Sequence, residues 1–141
     1  MILSAIATLS LALLLGGMVF FAVVMAPLIF TRLPPGQAGP FIRQVFPVYY
    51  LWLLATAGIA ALALIPHRPA EALAMAAVAV LALWLRQALM PRINRLSDAA
   101  QAGDVAAKSR FERAHRLSVL LNFLQIAVAV VVLLRSPMSG L

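Results

Sequence analysis

The chain alternates long uncharged hydrophobic runs with short clusters of proline, glycine and basic residues. A helix crossing a hydrocarbon layer of roughly 30 Å needs about 20 residues at 1.5 Å each. Residues 2–31 carry no charged side chain and predict a first span. A second, about 40–65, follows the breaker-rich LPPGQAGP, with Gly39 as a cap and Pro40 at the first helical position. It stops at PHRP. A third, about 69–90, opens with Pro69 and has Glu71 in its first turn, where a carboxylate suits the helix dipole. Its uncharged core, 72–85, is short, so Arg86 must lie within the span and snorkel. The fourth span, about 113–135, is expected to end a longer helix that starts near Asp104. A cytoplasmic loop, about 92–110, precedes it. The expected fold class is all-α, a single integral membrane four-helix bundle over residues 1–141.

Composition agrees. The chain is 65% hydrophobic and 11% charged, against about 45–50% apolar residues in soluble domains. A cleaved signal peptide would show a basic start and a shorter apolar core, and neither is present. The net charge of +7 would suggest nucleic acid in a soluble protein. Here the cations lie between hydrophobic runs, so the lipid bilayer is the expected partner and nucleic acid is not. Arg32, Arg43, Arg86, Arg92, Arg95, Lys108, Arg110, Arg113 and Arg116 flank the 1–2 and 3–4 connections. Only Arg68 and Arg135 fall on the other side. That asymmetry predicts both termini on the outer (periplasmic) side of a multi-pass protein in a bacterial inner (plasma) membrane.

The polar residues inside the spans are patterned. At about 100° per residue, His115, Ser118, Asn122 and Gln125 fall near 0°, −60°, −20° and −80°, on one stripe. Gln87, Pro91, Asn94 and Asp98 share a sector of about 60° on the third helix. Such groups are expensive against lipid, so both stripes are expected to face the bundle interior. The outer halves of both helices are apolar, and the second helix carries Arg43, Gln44, Tyr49 and Tyr50 in its inner half. A cytoplasm-facing polar pocket is predicted, closed outside by an apolar plug, rather than a continuous pore. A structural role for the same side chains competes with this. Pro27, Pro47 and Pro91 each deprive a carbonyl four residues earlier (Val23, Arg43 and Gln87) of its donor, and the polar side chains could serve those carbonyls.

The stretch GGMVFFAVVMAPLIFTRLPPGQAGPFIRQVFPVYY, with RFERAHRLSVLLNFLQ downstream, resembles the transmembrane protein 205-like family, a domain of unknown function. The residues that carry the resemblance are Gly17, Phe21, Pro27, Phe30, Gly39, Phe46, Pro47 and Tyr50, then Asn94, Phe111, His115, Ser118 and Asn122. Together A-P-x-x-F, A-G, V-F-P-x-Y-Y and F-x-x-x-H-x-x-S-x-x-x-N make a fairly specific set, spread over nearly the whole chain. The resemblance implies a four-helix membrane protein without a settled activity. More loosely, the chain is similar to copper-resistance D-like bundles and a haem-containing membrane protoporphyrinogen oxidase. That kinship is the motive for a copper or haem alternative.

Catalytic constellations are missing: no HExxH, GxSxG or Walker loop occurs, and there is no cysteine. The four carboxylates, Glu71, Asp98, Asp104 and Glu112, fall at or beyond the helix ends, which disfavours ion-coupled transport and acid–base catalysis. No resident cofactor is expected. His67 and His115 lie on opposite sides, so one chain cannot clamp a haem between them. A metal, in the alternative, would take His115 with Met25 and Met90, a soft set suited to Cu(I). The spacings Ala12–Gly16 and Ala72–Ala76 make homo-oligomerisation a candidate property. The leading expectation is a non-enzymatic protein holding a small-molecule ligand or a partner's segment. His115, Ser118, Asn122, Gln125, Gln87, Asn94, Arg43 and Tyr50 are the expected ligand-binding residues. A structural subunit of a membrane complex is the remaining alternative.

Overall fold

A computed structural model of the chain describes residues 1–135; residues 136–141 of the expected single domain lie outside the described residues. Four helices long and apolar enough to cross a membrane make up the fold: α1 (Ile2–Arg32), α2 (Ala38–Leu64), α3 (Pro69–Gln101) and α4 (Val105–Leu134). No strand occurs among the described residues. The helices form an all-helical bundle in which each packs on its chain neighbours, and α4 closes the ring against α1. Two pairs, α1 with α3 and α2 with α4, therefore face each other across the bundle.

Short turns join the helices. Gly36 (φ 85°) and Gly103 (φ 101°) supply the left-handed backbone that the α1–α2 and α3–α4 turns require. The second helix begins at Ala38 with Gln37 at its cap, two residues before the expected Pro40 start. Of the expected loop at about 92–110, residues 92–101 instead continue α3 as helix, 105–110 belong to the α4 helix expected to start near Asp104, and only Ala102, Gly103 and Asp104 form a tight turn. Hydropathy marks where a helix leaves lipid, not where it ends. Ile93 and Leu96 continue the buried face of α3 against α4, and the Asp104 carboxylate accepts from the Ala107 N–H at 3.0 Å, starting α4 at its expected place.

Two of the prolines are absorbed by a local change of helix pitch. Phe21–Met25 in α1 and Leu85–Leu89 in α3 are π-helical turns. Each ends one residue before the residue that precedes its proline, with Ala26 N–H bonded to Phe21 O and Met90 N–H to Leu85 O. The wider turn takes up one extra residue, so Pro27 and Pro91 enter the next α-helical turn at positions where a missing N–H is tolerated. Pro47, by contrast, lies inside α2.

The apolar half of the bundle, toward the termini, has a packed centre, with a shallow apolar recess between α3 and α4 near Ala74 and Val128. Leu11, Leu14, Leu53 and Met75 are fully buried, and Ala57, Ala60, Ala72 and Ala79 let α2 and α3 approach closely. Ala72 is thus used inside the bundle, whereas Ala12 and Gly16 face outward.

Candidate functional site

In the other half, where the 1–2 and 3–4 connections and nine of the eleven cations lie, the helices enclose a cavity of about 480 Å³. That is within the roughly 300–1,000 Å³ of small-molecule sites. Its walls come from all four helices. From α1 come Phe21, Ala22, Ala26 and Phe30; from α2, Gly39, Ile42, Arg43, Phe46, Tyr49 and Tyr50. The α3 wall holds Met90, Ile93, Asn94 and Ser97, and α4 adds Phe111, His115, Ser118, Val119, Asn122 and Phe123. Both π turns lie at its level. Each re-aims the helical turns beyond it, which puts Ala26 and Phe30, and Met90, Ile93, Asn94 and Ser97, on the cavity face.

The inner end is an aromatic cluster with one polar crossing. Phe21 stacks on Tyr49 at 4.5 Å between centroids, Tyr49 meets Tyr50 edge-on at 5.2 Å, and Phe46 lies over Tyr50 at 5.9 Å. The Tyr49 hydroxyl donates to Asn122 Oδ1 at 2.6 Å, joining the facing helices α2 and α4. With its carbonyl engaged, the Asn122 amide presents its NH₂ as donor. Ser118 donates to the His115 carbonyl one turn back at 2.7 Å. At the mouth, the His115 ring is exposed and stacks on Phe111 at 5.8 Å. Arg43 pairs with Asp98 at 2.7 Å and reaches the Asn94 carbonyl at 3.4 Å.

Of the residues expected at a binding site, Arg43, Tyr50, Asn94, His115, Ser118 and Asn122 line the cavity. Gln125 and Gln87 do not. Gln125 keeps the α4 stripe but lies deeper, 1% exposed, with its NH₂ donating to the Val78 carbonyl at 3.1 Å. Gln87 is exposed because it falls within the π turn. The extra residue there shifts the helical phase by about 100°, which uniform periodicity does not anticipate. Arg43 lines the cavity already paired with Asp98. Among the proposed metal ligands, His115 and Met90 line the cavity and Met25 does not. No cluster of three His, Cys, Asp or Glu occurs among the described residues. Tyr49, Ser97 and the aromatic walls complete the site. Tyr49 adjoins the expected Tyr50, and nothing in the pair YY says which hydroxyl meets α4.

The proline-satisfaction role does not match the observed bonds. Among the described residues, no side-chain hydrogen bond ends on the carbonyl of Val23, Arg43 or Gln87. Arg86, expected to snorkel, donates instead to the Pro47 carbonyl at 3.0 Å.

Among the described residues, one buried side-chain acceptor is left over. Gln125 Oε1 is buried without a hydrogen-bond partner. An orphaned acceptor forfeits its solvation, and membrane interhelical bonds stabilise by only about 0.6–2 kcal/mol. Gln125→Leu is therefore expected to leave thermal stability unchanged or raise it slightly. A clear fall in the unfolding midpoint would show that the Val78 contact outweighs the orphan.

A family model described as a domain of unknown function, DUF4149, matches residues 9–102, more than half of the chain. The chain belongs to the DUF4149 family. The matched segment runs from within α1 past the end of α3, so it contributes three of the four cavity walls. A search of curated proteins and a search of solved structures each gave no match.

Proposed function

We propose that this DUF4149 protein binds a small molecule in the cavity at its basic end. The observation that carries this is convergence: the α1 π turn, the helical turn that follows the α3 π turn, three residues of the α4 polar stripe and the aromatic cluster meet around one cavity. Such an arrangement of apolar walls with a few directed polar groups is what a small-ligand site needs. Asn122 acts as the fixed amide donor, His115 as the adjustable donor or acceptor at the mouth, and the Arg43–Asp98 pair as the polar rim. Among the described residues, no carboxylate lines the cavity, and the Ser118 hydroxyl is spent on the His115 backbone carbonyl rather than on its ring, which favours binding over catalysis. The cation asymmetry supports a cytoplasm-facing mouth, with both termini outside a bacterial inner membrane.

The resemblance to the transmembrane protein 205-like family belongs to the same proposal. Of the residues that carry it, all except Gly17, Pro27 and Pro47 line the cavity. A second reading, a copper or haem site, draws on His115 and Met90 lining the same space. With Met25 outside, the three-residue set is not assembled. Iron or copper retained by the wild type and lost from His115→Ala would favour that reading.

Because the chain has no cysteine, Ser97→Cys gives a single reporter in the cavity wall. A membrane-impermeant maleimide is expected to label it from the cytoplasmic side only. Labelling should be faster after exhaustive detergent exchange, which strips the occupant. Labelling from the opposite side alone would contradict the orientation, and equal rates would contradict occupancy.

A further inference from the structure

The cavity has a side door. Among the described residues, α4 packs on α1 mainly along Ile2–Phe20, whereas beyond the π turn Ala26–Arg32 packs mainly on its own neighbours and α2, which leaves a gap between α1 and α4 at the level of the cavity. Small residues, Ala22 and Ala26, edge the resulting gap on the α1 side, and Val119 edges it on α4. Phe30 and Phe123 both line the cavity and are 61% and 60% exposed, so they face the cavity and the surrounding lipid at once. Phe123 lies eight residues beyond His115, about 12 Å deeper at 1.5 Å per residue. The gap thus opens into the acyl layer, while the mouth lies at the headgroup level. At that depth no water is at hand to fill an apolar slot, and an acyl chain is the surrounding solvent.

The mouth offers donors in excess of acceptors. His115, the Asn94 side-chain amide and the remaining Arg43 N–H groups face it, and a guanidinium has five such donors in all. Arg92, Arg95, Arg113 and Arg116 are exposed on the same ends of α3 and α4, outside the cavity lining, and add positive charge to this end of the bundle; the one ion pair at this end among the described residues is Arg43–Asp98. An anion is therefore matched to the mouth and a hydrocarbon chain to the door, in the order in which a lipid of the same leaflet presents them.

We propose that an anionic phospholipid of the leaflet at the basic end occupies the cavity, its phosphate at Arg43, Asn94 and His115 and one acyl chain passing between Ala26 and Val119. This rests on the cavity being a ligand site and names the ligand class. Such a lipid needs no flipping to enter, because head and tail already point the right way.

Native mass spectrometry of the purified full chain tests it, with dioleoyl phosphatidylglycerol and dioleoyl phosphatidylcholine added in turn. One phosphatidylglycerol per chain is expected to be retained at least about tenfold more tightly than phosphatidylcholine. Ala26→Trp and Val119→Trp, which plug the door from either side, should each reduce its occupancy about tenfold or more. Leu9→Trp, on an exposed stretch of α1 outside the cavity lining, should not change it. Far-UV circular dichroism checks that the variants keep their helices; if neither does, the comparison of the two lipids on the wild type decides. Equal retention of the two lipids, or unchanged phosphatidylglycerol binding in folded door variants, would overturn the proposal. A non-lipid molecule in the organic extract, with no specific phosphatidylglycerol, would overturn the lipid assignment and leave the cavity as a ligand site. No bound molecule of any kind would remove both.

Discussion

Asn122→Leu is expected to reduce occupancy of the cavity at least about tenfold while the bundle stays helical. The substitution removes the amide that faces the cavity and also the acceptor of the Tyr49 hydroxyl, 2.6 Å away. A buried hydroxyl without a partner costs about 1–3 kcal/mol, and interhelical bonds in membranes tend toward the lower end. That is enough to lower the unfolding midpoint without unfolding the protein. Pairing it with Tyr49→Phe separates the two effects. The double variant should regain stability, because both polar partners are gone, but not binding, because the amide is still missing. Collapse of the single variant would assign Asn122 to the fold alone.

Gly17→Leu should be the most destabilising single change on α1. A Cβ at Gly17 would fall 2.6 Å from Trp52 Nε1, and that indole N–H donates to the Leu13 carbonyl at 3.2 Å. A larger side chain must push the indole off α1 and break this α1–α2 link. Overpacking of this kind costs typically about 1–3 kcal/mol. Trp52→Ala in the same chain should recover much of the loss, since it removes the obstacle. A Gly17→Leu protein as resistant to thermal or denaturant unfolding as the wild type would show that the indole moves aside freely.

The helices were legible because each depends on an uninterrupted run of apolar residues, and the sequence displays such runs directly. The α4 stripe was legible for a related reason: α4 is regular over its whole length, so counting at 100° per residue remains valid from His115 to Gln125. On α1 and α3 the same counting fails at Phe21–Met25 and Leu85–Leu89. A proline shows that something must give but not whether the helix kinks or widens. Gln87 was misplaced for that reason. Pairings between distant segments were equally hidden. Arg43 and Asp98 lie on different helices, and only their packing shows that one charge answers the other. Gly17 could be singled out by resemblance, yet its reason, the Trp52 ring, needs the α1–α2 contact. The extension of α3 over residues 92–101 escaped because hydropathy reports the solvent around a helix rather than the helix itself.

Occupancy of the cavity is the central claim, and mass spectrometry of organic extracts tests it most directly. Wild type and Asn122→Leu would be purified in parallel under mild detergent, extracted, and compared mole for mole. One molecular species near one equivalent per chain is expected in the wild type, reduced at least about tenfold in the folded variant. Identical extracts from the two proteins, or no enriched species in either, would contradict it.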